Sequence, residues 1–269
     1  MDLEQRIALL SPAKLALLED KLKRARPEAA PGTRSAVAGR LKSAPLSFAQ
    51  ERLWFLEQLE PESGLYNLPA MFPLRGPVDP GPVEATVRQI VERHGALRTR
   101  FIVKDDSPYQ VVGSDAGEAF DFSVIDLRAP DPRAGVPGLA QVLDHELWRP
   151  FDLATGPLVR VRLILQRDHD NLLLVVMHHI VSDGWSIHVF GKEFRALYES
   201  AHTGRPAGLA EPLQYADYAT QQRQQLQGDR LQALLAYWRA QLEGAPSVIA
   251  LPLDRPRPPR QSFKGALHR

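Results

Sequence analysis

The chain contains no cysteine, and several other features that would assign a function class are also missing. Without cysteine it has no disulfide framework and no thiol nucleophile. The 33 Lys and Arg residues nearly balance the 32 Asp and Glu residues, so the net charge of +1 gives no argument for nucleic-acid binding. The apolar runs are too short to span a bilayer, and the N-terminus lacks a signal-type apolar stretch. We therefore expect a soluble, cytoplasmic protein with neither nucleic acid nor membrane as a partner.

The residues that are present favour a globular α/β protein. With 269 residues and 44% hydrophobic content, the chain can bury a sizeable core in one or two domains. Stretches with helical spacing of apolar residues are interspersed with stretches in which every second residue is apolar, which predicts a mixed layer architecture. Helices are predicted after Ser47 and Pro80, at 139–147, from Ser186 to Gly204 and through most of 212–244, and strands at 97–103, 109–112, 120–124, 159–165 and 172–177.

Two local patterns add detail to these elements. Ser47 and Gln50 form a capping-box pattern at the start of the first of these helices, which predicts that Leu53, Leu56 and Leu59 face inward. The strand at 159–165 has apolar residues on one face and arginines, at positions 160 and 162, on the other.

The most informative stretch of the sequence runs from His178 to Gly184. It begins where the continuous apolar run 172–177, typical of a strand buried on both faces, turns polar. Side chains alternate across a strand, so His178 and His179 are expected on opposite faces. One imidazole can then be buried and structural while the other points into a cavity as an acid/base group. The Asp183-Gly184 pair that follows is a turn signal ahead of a helix opening at Ser186.

Other interpretations of this stretch are weaker or less specific. An isolated histidine at a strand end is more often a satisfied core residue than a catalytic group. Adjacent histidines diverge on a strand and no comparable ligand set accompanies them, so we expect no metal site. Ser182 and Ser186 lie near a His and an Asp, but within one turn and without a nucleophile-elbow pattern, which disfavours a serine hydrolase.

The run 177–186, MHHIVSDGWS, resembles the HHxxxDG signature of the condensation domains of nonribosomal peptide synthetases. Three other stretches resemble the first, second and fourth motifs of that family, in the family's order: LSFAQERLWFL at 46–56, RHGALRTRF at 93–101 and YADYA at 215–219. The resemblance covers roughly residues 45–269. Gly95 stands where the second motif usually has an acidic residue, and Gln221 where the fourth usually has Trp. The family's later motifs are missing, so we expect about the first half of such a domain.

The resemblance implies a fold and a domain organisation. The fold is α/β, a chloramphenicol-acetyltransferase-like mixed sheet with flanking helices in the N-terminal lobe, plus a helical and extended start of the C-terminal lobe. We expect a helical segment at 1–25, which is either a linker or a docking element, and a flexible linker at 26–44. The N-terminal lobe then covers 45–204, and the crossover with the truncated start of the C-terminal lobe covers 205–269. The proline-rich stretch 251–259 is interpreted as that crossover rather than as a proline-rich ligand.

The resemblance also implies a reaction and partners. The family forms a peptide bond between an upstream aminoacyl or peptidyl thioester and the amine of a downstream aminoacyl thioester. Both substrates are attached as thioesters to the phosphopantetheine arms of donor and acceptor carrier proteins, so we expect the chain itself to bind no cofactor directly. An adenylation domain and the missing lobe are further expected partners. The motif sequence favours an L-configured donor. The alternative is a non-catalytic fragment that keeps only the fold and carrier contact, and we expect the truncated chain alone to be largely inactive.

Carried over to this chain, the motifs imply roles for individual residues. The catalytic histidine is His179, and His178 is structural. Asp183 is also structural, in an ion pair for which Arg93 and Arg98 of the second motif are candidates. The resemblance further implies that Gly184 leaves room for the phosphopantetheine arm, and that the substrate channel includes Gly184, Trp185 and Ser186.

Overall fold

The structure, a computed structural model, describes residues 42–59, 63–128, 138–167, 170–246, 249 and 251–256. The predictions for 1–25 and for the linker up to residue 41 lie outside the described residues. Residues 42–44, in contrast, form part of a strand, so the linker predicted at 26–44 ends earlier than expected. None of the helices in the described residues has the length and hydropathy of a membrane-spanning segment.

Helices and strands follow one another in a mixed order along the chain. The elements are β1 (Lys42–Pro45), α1 (Phe48–Leu59), β2 (Asn67–Arg75), α2 (Pro80–Arg93), a 3-10 turn (Gly95–Arg98), β3 (Thr99–Lys104), β4 (Ser107–Val112), β5 (Asp121–Asp126), α3 (Leu139–Trp148), β6 (Val159–Leu165), β7 (Asp170–His178), α4 (Gly184–Thr203), α5 (Tyr215–Gln225) and α6 (Gly228–Gln241). The predicted mixed α/β architecture is confirmed.

The larger sheet has four strands in the order β2, β7, β6, β5. The β2–β7 and β7–β6 pairs are antiparallel, and the β6–β5 pair is parallel. On β7, Leu173 and Val175 pack into one apolar cluster with α2 and α4. Leu174 and Val176 pack into a second cluster with α1 and α3 on the other face. The two-faced burial predicted for this strand is confirmed, because each face is covered by helices.

The strand β6 buries charged side chains together with its apolar ones. Arg160 and Arg162 are 3% and 4% exposed. Arg162 donates to Glu146 on α3 at 3.0 Å and to Asp121 on β5 at 2.6 Å. Arg160 donates to main-chain carbonyls of residues 146, 149 and 150, and its guanidinium lies 3.6 Å from the ring centre of Phe151. The arginine face of this strand is therefore a buried ionic cluster, since carboxylates and carbonyls replace water around both guanidinium groups.

The smaller sheet has the order β1, β4, β3, with antiparallel pairs. The β3–β4 hairpin turns at Asp105 and Asp106, whose φ angles are 49° and 57°. Positive φ at both central positions suits a two-residue hairpin with a right-handed twist, and Asp tolerates this conformation better than most residues. The predicted hairpin partner of β3 is thus confirmed.

The N-terminus of α1 carries the capping box that the sequence predicts. The Gln50 N–H donates to Ser47 Oγ at 3.1 Å, and the Ser47 N–H donates to Gln50 Oε1 at 3.0 Å. The buried stripe of α1 consists of Gln50, Leu53 and Glu57. The predicted inward positions 56 and 59 are only partly buried, so the helix is rotated towards a polar buried stripe.

The chain divides into two compact units, one ending at Gln221 and one beginning at Gln222. The unit with the histidines therefore extends past the boundary expected after residue 204. In the second unit, α6 has no buried residue within the described part of the chain. The proline-rich segment contributes residues 251–256, which are exposed and outside helices and strands.

Candidate functional site

The histidine turn, residues 178–183, connects the end of β7 to the start of α4. The carbonyl of His178 accepts from the Val181 N–H at 3.1 Å and from the Ser182 hydroxyl at 3.1 Å. The His179 N–H donates to the carbonyl of Tyr66 at 2.8 Å. These three hydrogen bonds therefore hold the turn, of which residues 179–183 lie outside both β7 and α4.

His178 lies on the buried face of this turn and is 2% exposed. Its Nδ1 accepts the N–H of Ile180 at 3.1 Å, and its ring packs edge-on against Phe151 at 6.1 Å between centroids. A backbone N–H can only donate, so Nδ1 carries the lone pair and the proton of the neutral ring is on Nε2. That Nε2 lies 3.6 Å from Oε2 of Glu57 on α1.

His179 is exposed and has the opposite tautomer. Its Nδ1 lies 2.8 Å from the carbonyl oxygen of Ser182. A carbonyl can only accept, so Nδ1 carries the proton and donates it to Ser182. The Nε2 of the neutral ring therefore holds an available lone pair, which is the arrangement a proton acceptor needs. The structure buries His178 at the end of β7 and exposes His179, which lies in the turn that follows the strand.

Asp183 begins α4 as its N-cap residue. Its side chain accepts from the Ser186 N–H at 2.8 Å and from the Ser186 hydroxyl at 2.7 Å, and its own N–H donates to that hydroxyl at 3.1 Å. The backbone and hydroxyl hydrogen bonds from Ser186 hold the pKa of Asp183 below its ordinary value. The helix starts at Gly184 rather than at Ser186 as predicted, because Asp183 takes the cap position. It ends, as predicted, at Gly204, whose φ is 71°.

Open space lies on two sides of the first turn of α4. A pocket of about 210 Å³ is bounded by Met177 and Val181, by Trp185 and Ser186, and by residues of α2 and of 213–215. A wider groove of about 690 Å³ runs past Gly184 and Phe72. His179 lines neither of these two cavities.

No cluster of three or more His, Asp or Glu side chains suited to a metal ion occurs in the described ranges, and the chain has no cysteine.

The model of a family described as condensation domain matches residues 41–268. The chain belongs to this family. The site residues of the histidine turn therefore lie in the part of the chain that the family model covers.

Curated relatives agree with the condensation-domain assignment. The chain is 44% identical over 227 residues to one of the proteins that make up the linear gramicidin synthase of Brevibacillus parabrevis, and the match covers 83% of this chain and 3% of that protein. It is 42% identical over 272 residues to phosphinothricin tripeptide synthetase PhsC of Streptomyces viridochromogenes, and this match covers 100% of this chain and 25% of that protein. The chain therefore spans only a small part of the curated relatives that it matches.

Solved structures support the fold of the condensation domain. The starter condensation domain of rhizomide synthetase RzmA matches with a TM-score of 0.66 and 25% identity, over 77% of this chain and 49% of that one. The epimerization domain from the third module of tyrocidine synthetase B matches with a TM-score of 0.65 and 28% identity, over 80% of this chain and 48% of that one. The predicted chloramphenicol-acetyltransferase-like fold is therefore confirmed, and the chain spans about half of these domains.

The predicted arginine partner of Asp183 is wrong. Arg93 donates to Glu193 on α4 at 3.0 Å and to the carbonyl of Ala210 at 2.6 Å. Arg98 donates to the carbonyl of Gly113 at 3.0 Å and to carbonyls in the last turn of α2. Both arginines therefore have other partners, and Asp183 is held by Ser186 instead. Sequence order could not separate these possibilities, since a cap and an ion pair place the same residue type at this position.

Glu193 on α4 pairs with Arg93 and His94, which belong to the stretch 93–101 that resembles the second motif. It is 7% exposed and accepts from Arg93 and from Nε2 of His94, each at 3.0 Å. Burial would raise the pKa of Glu193, but the hydrogen bonds from Arg93 and His94 outweigh it and lower this pKa.

At Gly95, a Cβ would lie 2.9 Å from Oε1 of Gln214, which accepts the Gly95 N–H. A side chain at position 95 would therefore require the Gln214 amide to move.

Two residues of α1 near the histidine turn were missed by the sequence analysis. Gln50 donates to the carbonyl of Ile180 at 3.4 Å, and Glu57 faces His178. A signal was present in the sequence: positions 50, 53 and 57 are spaced i, i+3 and i+7, which puts a Gln and a Glu on one face with a leucine. Apolar spacing alone favours the leucines at 56 and 59, so the polar stripe is recognised only when burial is known.

Proposed function

We propose that the chain provides the histidine-bearing half of a condensation domain that forms amide bonds in nonribosomal peptide synthesis. The amine of a downstream aminoacyl thioester attacks the carbonyl carbon of an upstream aminoacyl or peptidyl thioester, the C–N bond forms, and the C–S bond breaks with release of the upstream thiol. The observation that carries this proposal is the tautomer of His179, whose Nδ1–H is held by Ser182 while Nε2 is left as an acceptor.

The energetics indicate which step needs the imidazole. An α-amino group titrates near roughly 7.7–8.0, so freeing it at neutral pH costs only about 1 kcal/mol. Forming the tetrahedral intermediate is harder, because negative charge gathers on oxygen and the attacking nitrogen becomes strongly acidic. An imidazole is suited to accept this proton or to orient the amine, which is typically worth about 10²–10⁴-fold. Holding two tethered substrates in position contributes as much or more.

The neighbouring residues take supporting roles in this proposal. His178 is a buried structural imidazole, and Asp183 fixes the start of α4 through Ser186. A Cβ built at Gly184 would meet no atom within 4 Å, so the fold of the described residues does not itself require glycine there. That open space supports a role for Gly184 in admitting the phosphopantetheine arm, with Trp185 and Ser186 beside it along the channel.

The partners in this proposal are carrier proteins for donor and acceptor, an adjacent adenylation domain and the remainder of the condensation domain. Phosphopantetheine is supplied by the carriers. Support comes from the relatives, which are named as a linear gramicidin synthase subunit and a phosphinothricin tripeptide synthetase. The residues Ile180-Val181-Ser182 within the motif favour an L-configured donor. Matched L- and D-donors on one carrier test this choice, and a clear preference for the D-donor contradicts it.

We further propose that peptide-bond formation requires the remainder of the domain. His179 lies exposed in the described part of the chain, whereas catalysis in the family uses a channel between two lobes. A condensation assay with loaded donor and acceptor carriers, run with the chain alone and with the chain completed by the other half, tests this directly. We expect product only from the completed domain. Full turnover by the chain alone would refute this requirement.

The role of His179 is tested in the same assay. In the completed domain, His179→Ala should lower the rate of condensation by about 10²–10⁴-fold without lowering the melting temperature, since the side chain is exposed. His202→Ala is the matched control, because His202 is also exposed and its Nδ1 also lies 2.8 Å from a carbonyl, that of Tyr198. Equal rates for the two variants would exclude His179 from the reaction.

A further inference from the structure

A buried carboxylate and a buried imidazole face each other behind the histidine turn. Glu57 and His178 are 6% and 2% exposed. Oε2 of Glu57 and Nε2 of His178 lie 3.6 Å apart, and neither atom has a hydrogen-bond partner among the described residues. Buried polar atoms are usually satisfied, so a facing pair of unsatisfied ones calls for an explanation.

The tautomer of His178 decides which atom of the pair is the donor. Its Nδ1 accepts the Ile180 N–H, so the ring proton is on Nε2 and points to the carboxylate. The separation exceeds a normal N–H···O distance of about 2.7–3.2 Å by roughly half an ångström. The attraction is therefore that of an N–H dipole and a carboxylate close to hydrogen-bonding distance, and it favours one ring orientation and one tautomer.

The ring of His178 is in turn connected to the segment that holds His179. The same ring accepts the N–H of Ile180, and the His178 carbonyl accepts from Val181 and from the Ser182 hydroxyl. Ser182 then offers its own carbonyl to Nδ1 of His179 at 2.8 Å. Glu57 is thus linked to His179 through His178 and three turn residues, each contact being hydrogen-bonded except the first.

The helix α1 contacts the turn at a second point on the same face. Gln50, two helical turns before Glu57, donates from Nε2 to the carbonyl of Ile180 at 3.4 Å. Its Oε1 accepts from Ser47 and from Gln110 on β4, which fixes the orientation of the amide. The turn is therefore held from α1 at the carbonyl of Ile180 and, through His178, at its N–H.

We propose that Glu57 is a positioning residue that acts through His178 to hold His179 in the Nδ1–H tautomer. The inference rests on the proposed role of His179 as proton acceptor. Glu57 does not touch the reacting atoms. It keeps the neutral His178 ring oriented towards Ile180, so that the carbonyl of Ser182 stays in place for the Nδ1–H of His179. The two adjacent histidines then have opposite tautomers because the same turn sets both.

Ring-nitrogen NMR tests the proposal on the whole 269-residue chain. Spectra are recorded with ¹⁵N-labelled imidazoles at about pH 8.5, roughly two units above the ordinary histidine pKa. Correlations between ring protons and ring nitrogens then report the tautomer, and His178→Asn and His179→Ala assign the two signals. We expect Nε2–H for His178 and Nδ1–H for His179. The same tautomer in both rings overturns the proposal without any variant of Glu57.

Variants at Glu57 test the direction of the effect. Glu57→Met keeps the length of the side chain and removes the carboxylate that faces Nε2 of His178, and it should raise the Nε2–H population of His179 by about fivefold. Glu57→Gln keeps an oxygen that can accept from His178 and should leave the wild-type tautomer dominant. Equal spectra for the two variants, or no change with Glu57→Met, contradict the proposal.

A matched control separates positioning from loss of stability. Glu193 is a carboxylate of similar burial that pairs with Arg93 and His94 instead of the turn. Glu193→Gln should lower the melting temperature and leave the His179 tautomer unchanged. A change in the His179 signal with this control would mean that any loss of a buried carboxylate alters the turn, and the specific role of Glu57 would be refuted.

Kinetics of the completed domain extend the test to catalysis. Glu57→Met should lower kcat by about 10–100-fold, as for a small misplacement of a catalytic group, with KM changed by less than about twofold. In the His179→Ala background it should have no further effect on kcat. A normal tautomer response without a kcat effect would refute the catalytic role alone, whereas activity retained by His179→Ala would instead refute the proposed function.

Discussion

The neighbouring strands β6 and β7 both bury ionisable side chains, but these side chains are charged on β6 and neutral on β7. On β6, Arg160 and Arg162 stay charged and are surrounded by carboxylates and carbonyls. On β7, His178 is buried as a neutral ring, because its Nδ1 accepts a backbone N–H. In the first arrangement several partners hold a charge, whereas in the second a main-chain N–H on one ring nitrogen and a carboxylate near the other favour one tautomer. Burial alone therefore does not indicate function, and the partners of each group have to be examined.

The charged groups on β6 also differ from each other. Burial lowers the pKa of Arg160, and the nearby charge of Arg149 lowers it further. Burial would lower the pKa of Arg162 too, but its hydrogen bonds to Asp121 and Glu146 outweigh burial and raise this pKa. The charge of Arg160, which lies over Phe151, is therefore less well stabilised than the charge of Arg162, which is hydrogen-bonded to carboxylates. Because Phe151 also packs against His178, the two arrangements share one aromatic neighbour.

The largest expected effect on stability comes from the cluster on β6. Glu146→Leu leaves Asp121 as the one carboxylate partner of Arg162 among the described residues and removes the carboxylate that lies 3.4 Å from Arg160. It should lower the free energy of unfolding by about 3–5 kcal/mol, measured by urea denaturation. Glu84→Gln is the control, because Glu84 pairs with Arg88 at 2.8 Å on the surface of α2 and should cost about 0.5 kcal/mol or less. Similar losses in both variants would mean that the buried cluster adds no more than a surface pair.

A smaller effect is expected at the histidine turn. Asp183→Asn keeps a capping oxygen but loses its charge, and Asp183→Ala loses the cap altogether, at about 1 kcal/mol for a typical N-cap. The ion pair first expected for Asp183 would have made the loss about 3–5 kcal/mol. Thermal unfolding of the two variants separates these values. A loss of several kcal/mol from Asp183→Ala would contradict a simple cap.

The pH dependence of this cap has a definite sign. The pKa of Asp183 is lowered in the folded chain, so its contribution is present above its unfolded pKa of about 3.9 and is lost as pH falls through the folded pKa. The difference in melting temperature between wild type and Asp183→Ala should therefore be largest near neutral pH and shrink in acid. A difference that grows in acid would have the wrong sign for a carboxylate cap.

The smallest effect on stability is expected at Gly184. A Cβ there would meet no atom within 4 Å, and alanine is the better helix former, so Gly184→Ala should change the free energy of unfolding by at most about 1 kcal/mol, in the stabilising direction. In the completed domain the same variant should slow condensation if this space admits the phosphopantetheine arm. Gly204→Ala is the contrasting control, because the φ of 71° at Gly204 makes that substitution destabilising without touching the site. Unchanged condensation by Gly184→Ala would remove Gly184 from the channel.

Much of the fold follows from local patterns in the sequence. The apolar run 172–177, the capping box at Ser47 and the stop at Gly204 each predict a feature that the structure contains. These patterns succeed because they depend on contacts within a few residues or on burial of a whole face. The start of α4 was displaced by two residues, since Asp183 and Ser186 are both acceptable caps and only their mutual hydrogen bonds decide between them.

The sequence by itself determined the family motif and the strand that ends at the first of the two histidines, because these depend on chain order and on a continuous apolar run. Tertiary structure decided the partners. It paired Arg93 with Glu193 instead of Asp183, turned Glu57 towards His178 and buried the arginines of β6 among carboxylates. Such contacts join residues far apart in the chain, and several partners of equal chemistry compete for each of them, so they are settled only when helices and strands pack together.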